Sequence, residues 1–288
     1  MLEKIDLTKK LEKSVYKRIM PVLGERLYEV QKASWDAGIP VVILFEGWDA
    51  AGKGTSIQSL TGPLDPRGFK LYPIRAARTY EKKHPWLWRF WLKLPAKGVW
   101  AIFDRSWYGR VLVERIERLT SKKDWRNAYR DIVDFERTIA DDGVMVVKFF
   151  LHISKKEQKK RFKKLIDDPL NAWKVASEDW DHHRHYKEWL LAYEEAFEQT
   201  ESEWAPWTIV EATNRRYTQV KIYRTIIKSL EKRLGIEGSA FPVDENLVNK
   251  ESLHALQKET YPATQQMILE EDDEAPCRRG TPPPECCA

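Results

Sequence analysis

Residues 47–55 have the composition of a phosphate-binding loop. They read Gly-Trp-Asp-Ala-Ala-Gly-Lys-Gly-Thr and directly follow the apolar run Val-Val-Ile-Leu-Phe at 41–45. A glycine-rich turn between a buried strand and a helix directs backbone N–H groups, and the positive end of the helix, toward one point. A turn without a ligand would not require the lysine. The pattern therefore predicts phosphate binding by Gly47, Ala51, Gly52, Lys53, Gly54 and Thr55.

The loop departs from the usual pattern at two positions. Gly54 stands where a Ser or Thr normally offers a hydroxyl to Mg²⁺, and the hydroxyl of Thr55 comes one residue late. Asp49 places a negative charge where it would repel a bare phosphate chain, and Mg²⁺ between them would reverse that repulsion. We therefore expect Asp49 to bind Mg²⁺. The alternative is a turn residue that hydrogen-bonds its own backbone.

A second apolar run ends in an Asp-Arg pair. Residues 100–104 read Trp-Ala-Ile-Phe-Asp, and Arg105 follows at once. A working loop needs a metal-binding carboxylate from the neighbouring strand, and Asp104 is the candidate. Arg105 can reach phosphate oxygens with its forked donors, unless it forms only a structural ion pair. Asp49, Lys53, Asp104 and Arg105 are thus the predicted catalytic set, with Asp49 and Asp104 holding Mg²⁺.

The remaining elements predict the sheet that positions this set. Strand candidates lie at 41–45, 69–74, 99–103, 144–153 and 207–211, and amphipathic helical stretches separate most of them. This alternation predicts an α/β fold, a three-layer α/β/α P-loop kinase-like arrangement with a mainly parallel five-stranded sheet and a helical lid. We expect N-terminal docking helices over 1–38, where Pro21 can kink the chain, and a catalytic domain over 39–236 with its lid at about 154–205.

The helix expected at the start of the lid is strongly basic. A solvated helix face is the ordinary explanation of such a run. In P-loop kinases, however, this position holds the lid over the phosphates, and so many cations exceed the need of one nucleotide, so a long polyanion is the expected ligand. The seven cations are Lys155, Lys156, Lys159, Lys160, Arg161, Lys163 and Lys164.

Two further groups of residues lie near the predicted site. Arg75 and Arg78 follow the second strand, at the sheet edge where acceptor nucleotides bind in related folds, and surface ion pairing is the alternative. His182, His183 and His185 fall at successive helix positions that cannot converge on one metal ion. For these histidines we expect lid surface or phosphate contacts.

Composition limits the class of protein. The 288 residues are 42% hydrophobic with a net charge of +5, and no apolar run is long enough to span a membrane. Ten acidic and four basic residues after residue 241 leave about +11 on residues 1–241, which suits a polyanion, a nucleic acid or an anionic membrane. All three cysteines lie in the last twelve residues. We expect a cytoplasmic protein with a C-terminal extension over 237–288, disordered from about 265.

Two segments carry a specific resemblance. Residues 45–54 and 103–114, Phe-Asp-Arg-Ser-Trp-Tyr-Gly-Arg-Val-Leu-Val-Glu, resemble the two Walker motifs of the polyphosphate kinase 2 family. The resemblance extends to residues 149–158, Arg161-Phe162, Asp168-Pro169, Trp173-Lys174 and 205–207, and covers about 10–235. It implies Mg²⁺-dependent transfer of a terminal phosphoryl group between inorganic polyphosphate and a purine nucleotide, carried out by Asp49, Lys53, Asp104 and Arg105.

The resemblance also implies subsites. The continuation through Arg110 is most similar to the AMP-using group, so Tyr108 and Arg110 join Arg75 and Arg78 as expected nucleotide contacts. Leu165 stands near the place of a lid arginine in the family, so Arg161 or Lys164 is expected to bind polyphosphate instead. The expected partners are polyphosphate, purine nucleotides and further copies of the chain, with no membrane and no nucleic acid.

Two other functions fit parts of the pattern. An ATP-dependent nucleoside monophosphate kinase similar to thymidylate kinase would share the strand-end Asp104-Arg105 pair, but Asp49 and the large basic lid argue against it. A non-catalytic polyanion-binding protein would explain the basic body with its tryptophans. The intact Lys53 and Asp104 argue against that second alternative.

Overall fold

The computed structural model describes residues 2–236, so the expected extension over 237–288 lies outside the described residues. Five strands form one sheet: β1 (Val41–Gly47), β2 (Phe69–Pro73), β3 (Trp100–Asp104), β4 (Met145–His152) and β5 (Trp207–Glu211). The helices are α1 (Lys13–Asp36), α2 (Lys53–Thr61), α3 (Trp88–Trp91), α4 (Val113–Ile116), α5 (Lys122–Asp141), α6 (Lys155–Ile166), α7 (Ser177–Arg184), α8 (Tyr186–Thr200) and α9 (Arg215–Leu234).

The sheet is parallel throughout, in the order β2-β3-β1-β4-β5. β1 is fully buried and has a strand on each side, with Val41 opposite both Trp100 and Met145. The sequence identified all five strands to within two residues; β1, β3 and β4 are the continuously apolar, buried strands typical of a parallel sheet, whereas the edge strand β2 is largely exposed. The predicted α/β class and five-stranded parallel sheet are confirmed. All five strands end at the same edge, where the predicted catalytic residues lie.

Helix α1 docks on α9 along the outside of the sheet. Arg26 pairs with Glu231 at 2.9 Å, and the Tyr16 hydroxyl donates to Gln219 Oε1 at 2.5 Å. The helix continues through Pro21, whose exposed side chain neither ends it nor divides it into two. None of the helices between residues 2 and 236 is both long and apolar enough to span a membrane.

The segment expected as the lid, 154–205, divides into two parts with different environments. Its last helix, α8, buries one face within the core through Trp189, Tyr193 and Phe197. Phe150 of β4 packs against Tyr193 and Phe197, with ring centroids 4.6 and 5.0 Å apart. A helix that forms part of the core cannot open with a lid, so we limit the proposed lid to the part before α8.

One ion pair lies completely inside the fold. The Lys148 ammonium, in the middle of β4, donates to Glu136 Oε2 at 2.8 Å, to the Tyr108 hydroxyl at 2.9 Å and to the Thr200 carbonyl at 3.0 Å. The side chains of Lys148 and Glu136 are both 0% exposed. Burial lowers the pKa of Lys148 and raises that of Glu136, while each charge partly offsets the effect on the other.

This arrangement predicts that Lys148→Met will destabilise the protein. The substitution leaves the Glu136 carboxyl buried without its cation, which typically costs about 3–5 kcal/mol. Urea unfolding at neutral pH measures the change, and adding Glu136→Gln should restore part of it. Arg137→Ala, which breaks a pair with Asp141 exposed on the same helix α5, is the control and should cost no more than about 1 kcal/mol. A loss below 1 kcal/mol for Lys148→Met would contradict the assignment.

Candidate active site

The phosphate-binding loop begins where β1 passes close to β4. At Gly47 a Cβ atom would lie 2.4 Å from the carbonyl oxygen of Leu151, and the residue has φ = 136°. Both conditions exclude other residues at this position. Ala50 and Gly52 also have positive φ, at 57° and 103°, so the chain turns sharply before α2 starts at Lys53. A turn in which residues with positive φ alternate with residues of negative φ is concave and can bind an anion through its N–H groups.

An aromatic cluster holds the second residue of the loop. The Trp48 indole is 3% exposed and stacks on Tyr186 of α8 at a centroid distance of 3.9 Å. Its Nε1–H donates to Nδ1 of His152 at 2.9 Å. Burial lowers the pKa of His152 to about 4, so the ring is neutral at physiological pH and its Nδ1 can accept this bond. The core part of the expected lid therefore supports the loop from behind.

Lys53 lies inside the loop. Its ammonium donates to the carbonyl oxygens of Gly47 at 2.8 Å and Trp48 at 3.1 Å, and the residue is 9% exposed. Burial and the charge of Arg105 lower the pKa of Lys53, while Asp49 and Asp104 oppose the shift. The charges of both predicted metal ligands therefore act on this ammonium. The loop and β3 place Lys53, Asp49, Asp104 and Arg105 at one sheet edge.

The Asp49 carboxylate has two partners. Oδ1 accepts a hydrogen bond from Arg105 Nη2 at 2.7 Å, and Oδ2 lies 2.9 Å from Nδ1 of His182. Burial acts to raise the pKa of Asp49, but His182, Lys53 and Arg105 outweigh it and hold the pKa well below its usual range. Asp49 is thus ionised, and it is a loop carboxylate in contact with other side chains, unlike a turn residue bonded to its own backbone.

Asp104 and Arg105 occupy the end of β3. Asp104 pairs with Phe45 of β1 and Pro73 of β2, and its carboxylate has no hydrogen-bond or ion-pair partner within residues 2–236. Arg105 has φ = 63°, a left-handed conformation uncommon for a side chain of this size, and its N–H donates to the Phe45 carbonyl at 3.0 Å. This turn directs the arginine from the strand toward Asp49.

A buried carboxyl group lies beneath these residues and was not predicted. Glu46 is 5% exposed and accepts a hydrogen bond from the Ser106 hydroxyl at 2.7 Å. Burial raises the pKa of Glu46, although Ser106, Arg105 and Lys53 oppose the shift. The available sequence signal was a glutamate directly after an uninterrupted apolar strand and directly before the loop.

Helix α7 reaches the loop through His182, which links two carboxylates. Besides Asp49, its Nε2 lies 2.8 Å from Glu117 Oε1. Burial lowers the pKa of His182, but its bonds to Asp49 and Glu117 outweigh that and raise it. A ring that donates to two carboxylates carries both N–H groups and a positive charge. The sequence indicated lid surface or phosphate contact for this residue and missed its partners.

Two expected nucleotide contacts bond other residues of the protein, and one of them is fully buried. Tyr108 is 0% exposed, and its hydroxyl donates to Glu136 at 2.9 Å. The Tyr108 ring and hydroxyl thus face the interior in this structure, and nucleotide binding by Tyr108 stays a prediction. Arg110 pairs with Glu114 at 2.7 Å and lies over the Trp86 ring at 5.1 Å, which gives it a structural role at the corner after β3.

Arg161 also departs from expectation. Its guanidinium donates to four backbone carbonyls and to Glu157, so it is not available for polyphosphate in this structure. Lys164, one turn further along α6, is exposed. Arg75 and Arg78 are exposed in the loop after β2, and Thr55 is half-buried in the first turn of α2. Phosphate or nucleotide binding by these four residues stays a prediction.

Comparison with known proteins identifies the family. A family model described as Polyphosphate kinase 2 (PPK2) matches residues 10–237. The chain belongs to the polyphosphate kinase 2 family. The predicted resemblance is thus confirmed over nearly its full length, together with the P-loop kinase-like fold.

Individual relatives support the same family assignment. The chain is 40% identical over 232 residues to a polyphosphate:AMP phosphotransferase of Pseudomonas syringae, covering 81% of this chain and 47% of that one. A polyphosphate kinase 2 structure from Pseudomonas aeruginosa superposes with a TM-score of 0.79 at 40% identity, covering 82% and 51% of the two chains. One from Arthrobacter aurescens gives 0.78 at 29% identity, covering 90% and 93%. The chain thus spans about half the length of the first relatives it matches.

Two glycines of the loop provide a matched test of its geometry. Gly47→Ala forces a Cβ against the Leu151 backbone at positive φ, so we expect a loss of at least about 3 kcal/mol. Gly54→Ala meets open space in the first turn of α2 and should stabilise the fold by about 0.5–1 kcal/mol. Urea unfolding of both variants measures the difference. Equal stabilities would show that β1 and β4 do not approach as closely as described.

Proposed function

We propose that the protein transfers a terminal phosphoryl group between inorganic polyphosphate and a purine nucleotide. The observation that carries the proposal is the convergence of Lys53, Arg105 and Asp104 at the mouth of a phosphate-binding loop. Helix α6 adds exposed lysines beside that loop, which suits a donor with many charges. Family membership and the name of the Pseudomonas syringae relative support the same reaction.

The acceptor that we propose is AMP, with ADP or GDP as the alternative. The relative from Pseudomonas syringae is named for AMP, and it shares 40% identity with this chain. Arg75 and Arg78 lie exposed after β2, at the sheet edge where the strands of this fold end. Two guanidinium groups there can bind the phosphate of a monophosphate acceptor. The sequence also predicts Tyr108 and Arg110 for this subsite, although in this structure Tyr108 bonds Glu136 and Arg110 pairs with Glu114.

The carboxylates fit Mg²⁺, although not as a preformed cage. Within residues 2–236 no three His, Cys, Asp or Glu side chains converge on one point. Mg²⁺ commonly takes only one or two carboxylates and completes its shell with phosphate oxygens and water. Asp104, which lacks a protein partner, is therefore the first proposed ligand. Asp49 is the second, provided that its bond to Arg105 or His182 gives way. Bound Mg²⁺ would screen the repulsion between the two phosphate-bearing substrates.

The protein's own groups account for the remaining steps. A phosphate oxygen of the nucleotide attacks the terminal phosphorus in line, and the bond from that phosphorus to the bridging oxygen of polyphosphate breaks. Lys53 exchanges the carbonyls of Gly47 and Trp48 for phosphate oxygens, and Arg105 binds the group in transfer. The loop N–H groups and the lid lysines position the chain. Positioning and charge stabilisation supply the catalysis, so no covalent intermediate on the protein is needed.

A donor exchange distinguishes this function from the alternatives. Wild-type protein with Mg²⁺ and AMP should form ADP faster from long-chain polyphosphate than from ATP. If ATP is the better donor, the chain is a nucleoside monophosphate kinase. No turnover with either donor, together with retention of polyphosphate on a filter, would identify a non-catalytic polyanion-binding protein.

Two variants test the assigned groups in the same assay. Lys53→Ala and Asp104→Asn should each lower turnover at least about 100-fold, because each removes charge stabilisation at the transferring group. Both should keep the wild-type circular dichroism. Arg137→Ala, at a residue exposed on helix α5 and assigned to no part of the site, is the control and should retain most of the activity. Near-normal turnover of Asp104→Asn would remove the metal-ligand role. Self-association of the chain stays a prediction, to be measured by light scattering.

A further inference from the structure

We propose that Arg161 is a positioning residue that sets the shape of the phosphate-binding loop and does not itself bind polyphosphate. The proposal rests on the function proposed above, since it concerns the same site. It departs from the expected role of Arg161 as a polyphosphate contact. The supporting observations are the hydrogen bonds of one guanidinium group, the peptide planes they hold, and the burial of the helix that carries it.

All five N–H donors of Arg161 have partners. Nη1 donates to the carbonyl oxygens of Ala50 at 3.0 Å and Ala51 at 2.9 Å, both in the phosphate-binding loop. Nη2 donates to those of Ala212 at 2.7 Å and Thr213 at 3.1 Å, in the turn between β5 and α9. Nε donates to Glu157 at 2.9 Å. A guanidinium has no further donor, so phosphate binding would break bonds already made.

A neighbour on α6 extends the contact to a third loop carbonyl. Gln158 Nε2 donates to the Asp49 carbonyl at 3.3 Å, and its Oε1 lies 2.8 Å from Nδ1 of His183. Gln158 and Arg161 stand three residues apart and therefore share one face of the helix. That face contacts the carbonyl oxygens of three successive loop residues, 49, 50 and 51.

Holding these carbonyls determines where the loop N–H groups point. In a planar trans peptide, C=O of one residue and N–H of the next are directed oppositely, and the described residues contain no cis peptide. With the carbonyls of 49, 50 and 51 turned toward α6, the N–H groups of 50, 51 and 52 turn away from it. The N–H of Ala51 bonds the Trp48 carbonyl within the turn. Those of Ala50 and Gly52 are directed across the loop, where an anion would lie.

The same face of α6 also contacts helix α7. Gln158 and Phe162 are each 1% exposed; Gln158 bonds the Asp49 carbonyl, and Phe162 packs against Trp180 of α7 at a centroid distance of 5.2 Å. Lys163 and Lys164, just beyond, are exposed, as are Leu170 and Trp173 at 83% and 77%. Arg161 is thus anchored to the phosphate-binding loop, whereas the lysines that follow Phe162 are open to solvent.

Arg161→Lys tests the proposal because it keeps the positive charge and removes the planar guanidinium group with its five N–H donors. A lysine carries three donors on one nitrogen and cannot bond four carbonyls of two loops at once. We expect kcat with polyphosphate and AMP to fall about 10- to 100-fold, since displacing a site by 1 Å costs that much, while the KM for polyphosphate changes less than about threefold. Arg161→Ala should behave in the same way. Lys160→Ala, on the exposed side of the same helix, should instead raise that KM and keep kcat.

Hydrogen exchange provides a readout that needs no substrate. In ligand-free Arg161→Lys, peptides covering 47–55 should exchange at least about tenfold faster than in the wild type, and peptides covering β4 should not change. Lys160→Ala should match the wild type. If wild-type protein fails to use polyphosphate, the proposed function is lost, but this comparison still decides the role of Arg161.

Two results would overturn the proposal. Arg161→Lys with wild-type kcat and wild-type exchange at 47–55 would show that charge alone is required. Arg161→Ala with a raised KM for polyphosphate, unchanged kcat and unchanged exchange would make Arg161 a substrate contact like Lys160. Should Arg161→Ala not fold, Arg161→Lys and Arg161→Gln carry the same comparison, because both retain a long polar side chain.

Discussion

The site depends on the close approach of Gly47 to the backbone of Leu151. No side chain fits there, since its Cβ would lie 2.4 Å from a carbonyl oxygen. The approach brings the chain out of β1 against β4, so the next residue, Trp48, enters the aromatic cluster around Tyr186. The loop then has to turn within a few residues to start α2 at Lys53. A catalytic loop on this fold is therefore a consequence of strand packing as much as of its own glycines.

Cations and carboxylates lie close together around the phosphate-binding loop. The buried Lys53 and the partly exposed Arg105 bring two cations together, and Asp49, Asp104 and Glu46 lie around them. Within the protein, the Gly47 carbonyl accepts from Lys53, and the Asp49 carboxylate accepts from Arg105. A phosphate group offers the same cations stronger acceptors, so binding exchanges one set of charge-assisted bonds for another and avoids new desolvation of the lysine. The arrangement is organised for an anion before the anion arrives.

Sequence patterns predicted the parts of the molecule that are formed by residues close together in the sequence. Buried parallel strands are apolar runs, and the loop is a contiguous motif, so the sheet and the positions of Lys53 and Asp104 could be derived. Contacts between distant segments could not: His182 meets Asp49 across 133 positions of sequence. The motif that contains Tyr108 does not show that the ring turns inward, because that depends on Glu136 and Lys148 from α5 and β4.

The basic run of α6 shows why charge in a sequence is not enough to assign a role. Its seven cations look alike in the sequence, yet helical phase turns one of them, Arg161, toward the loops and leaves lysines such as Lys163 and Lys164 exposed. The division suits the chemistry of the side chains. A planar fork holds fixed carbonyls, whereas flexible, hydrated ammonium groups can follow a polyphosphate chain whose position along the site changes as it shortens. In the proposed function, the exposed lysines supply affinity for polyphosphate, and the half-buried Arg161 preserves the geometry of the phosphate-binding loop.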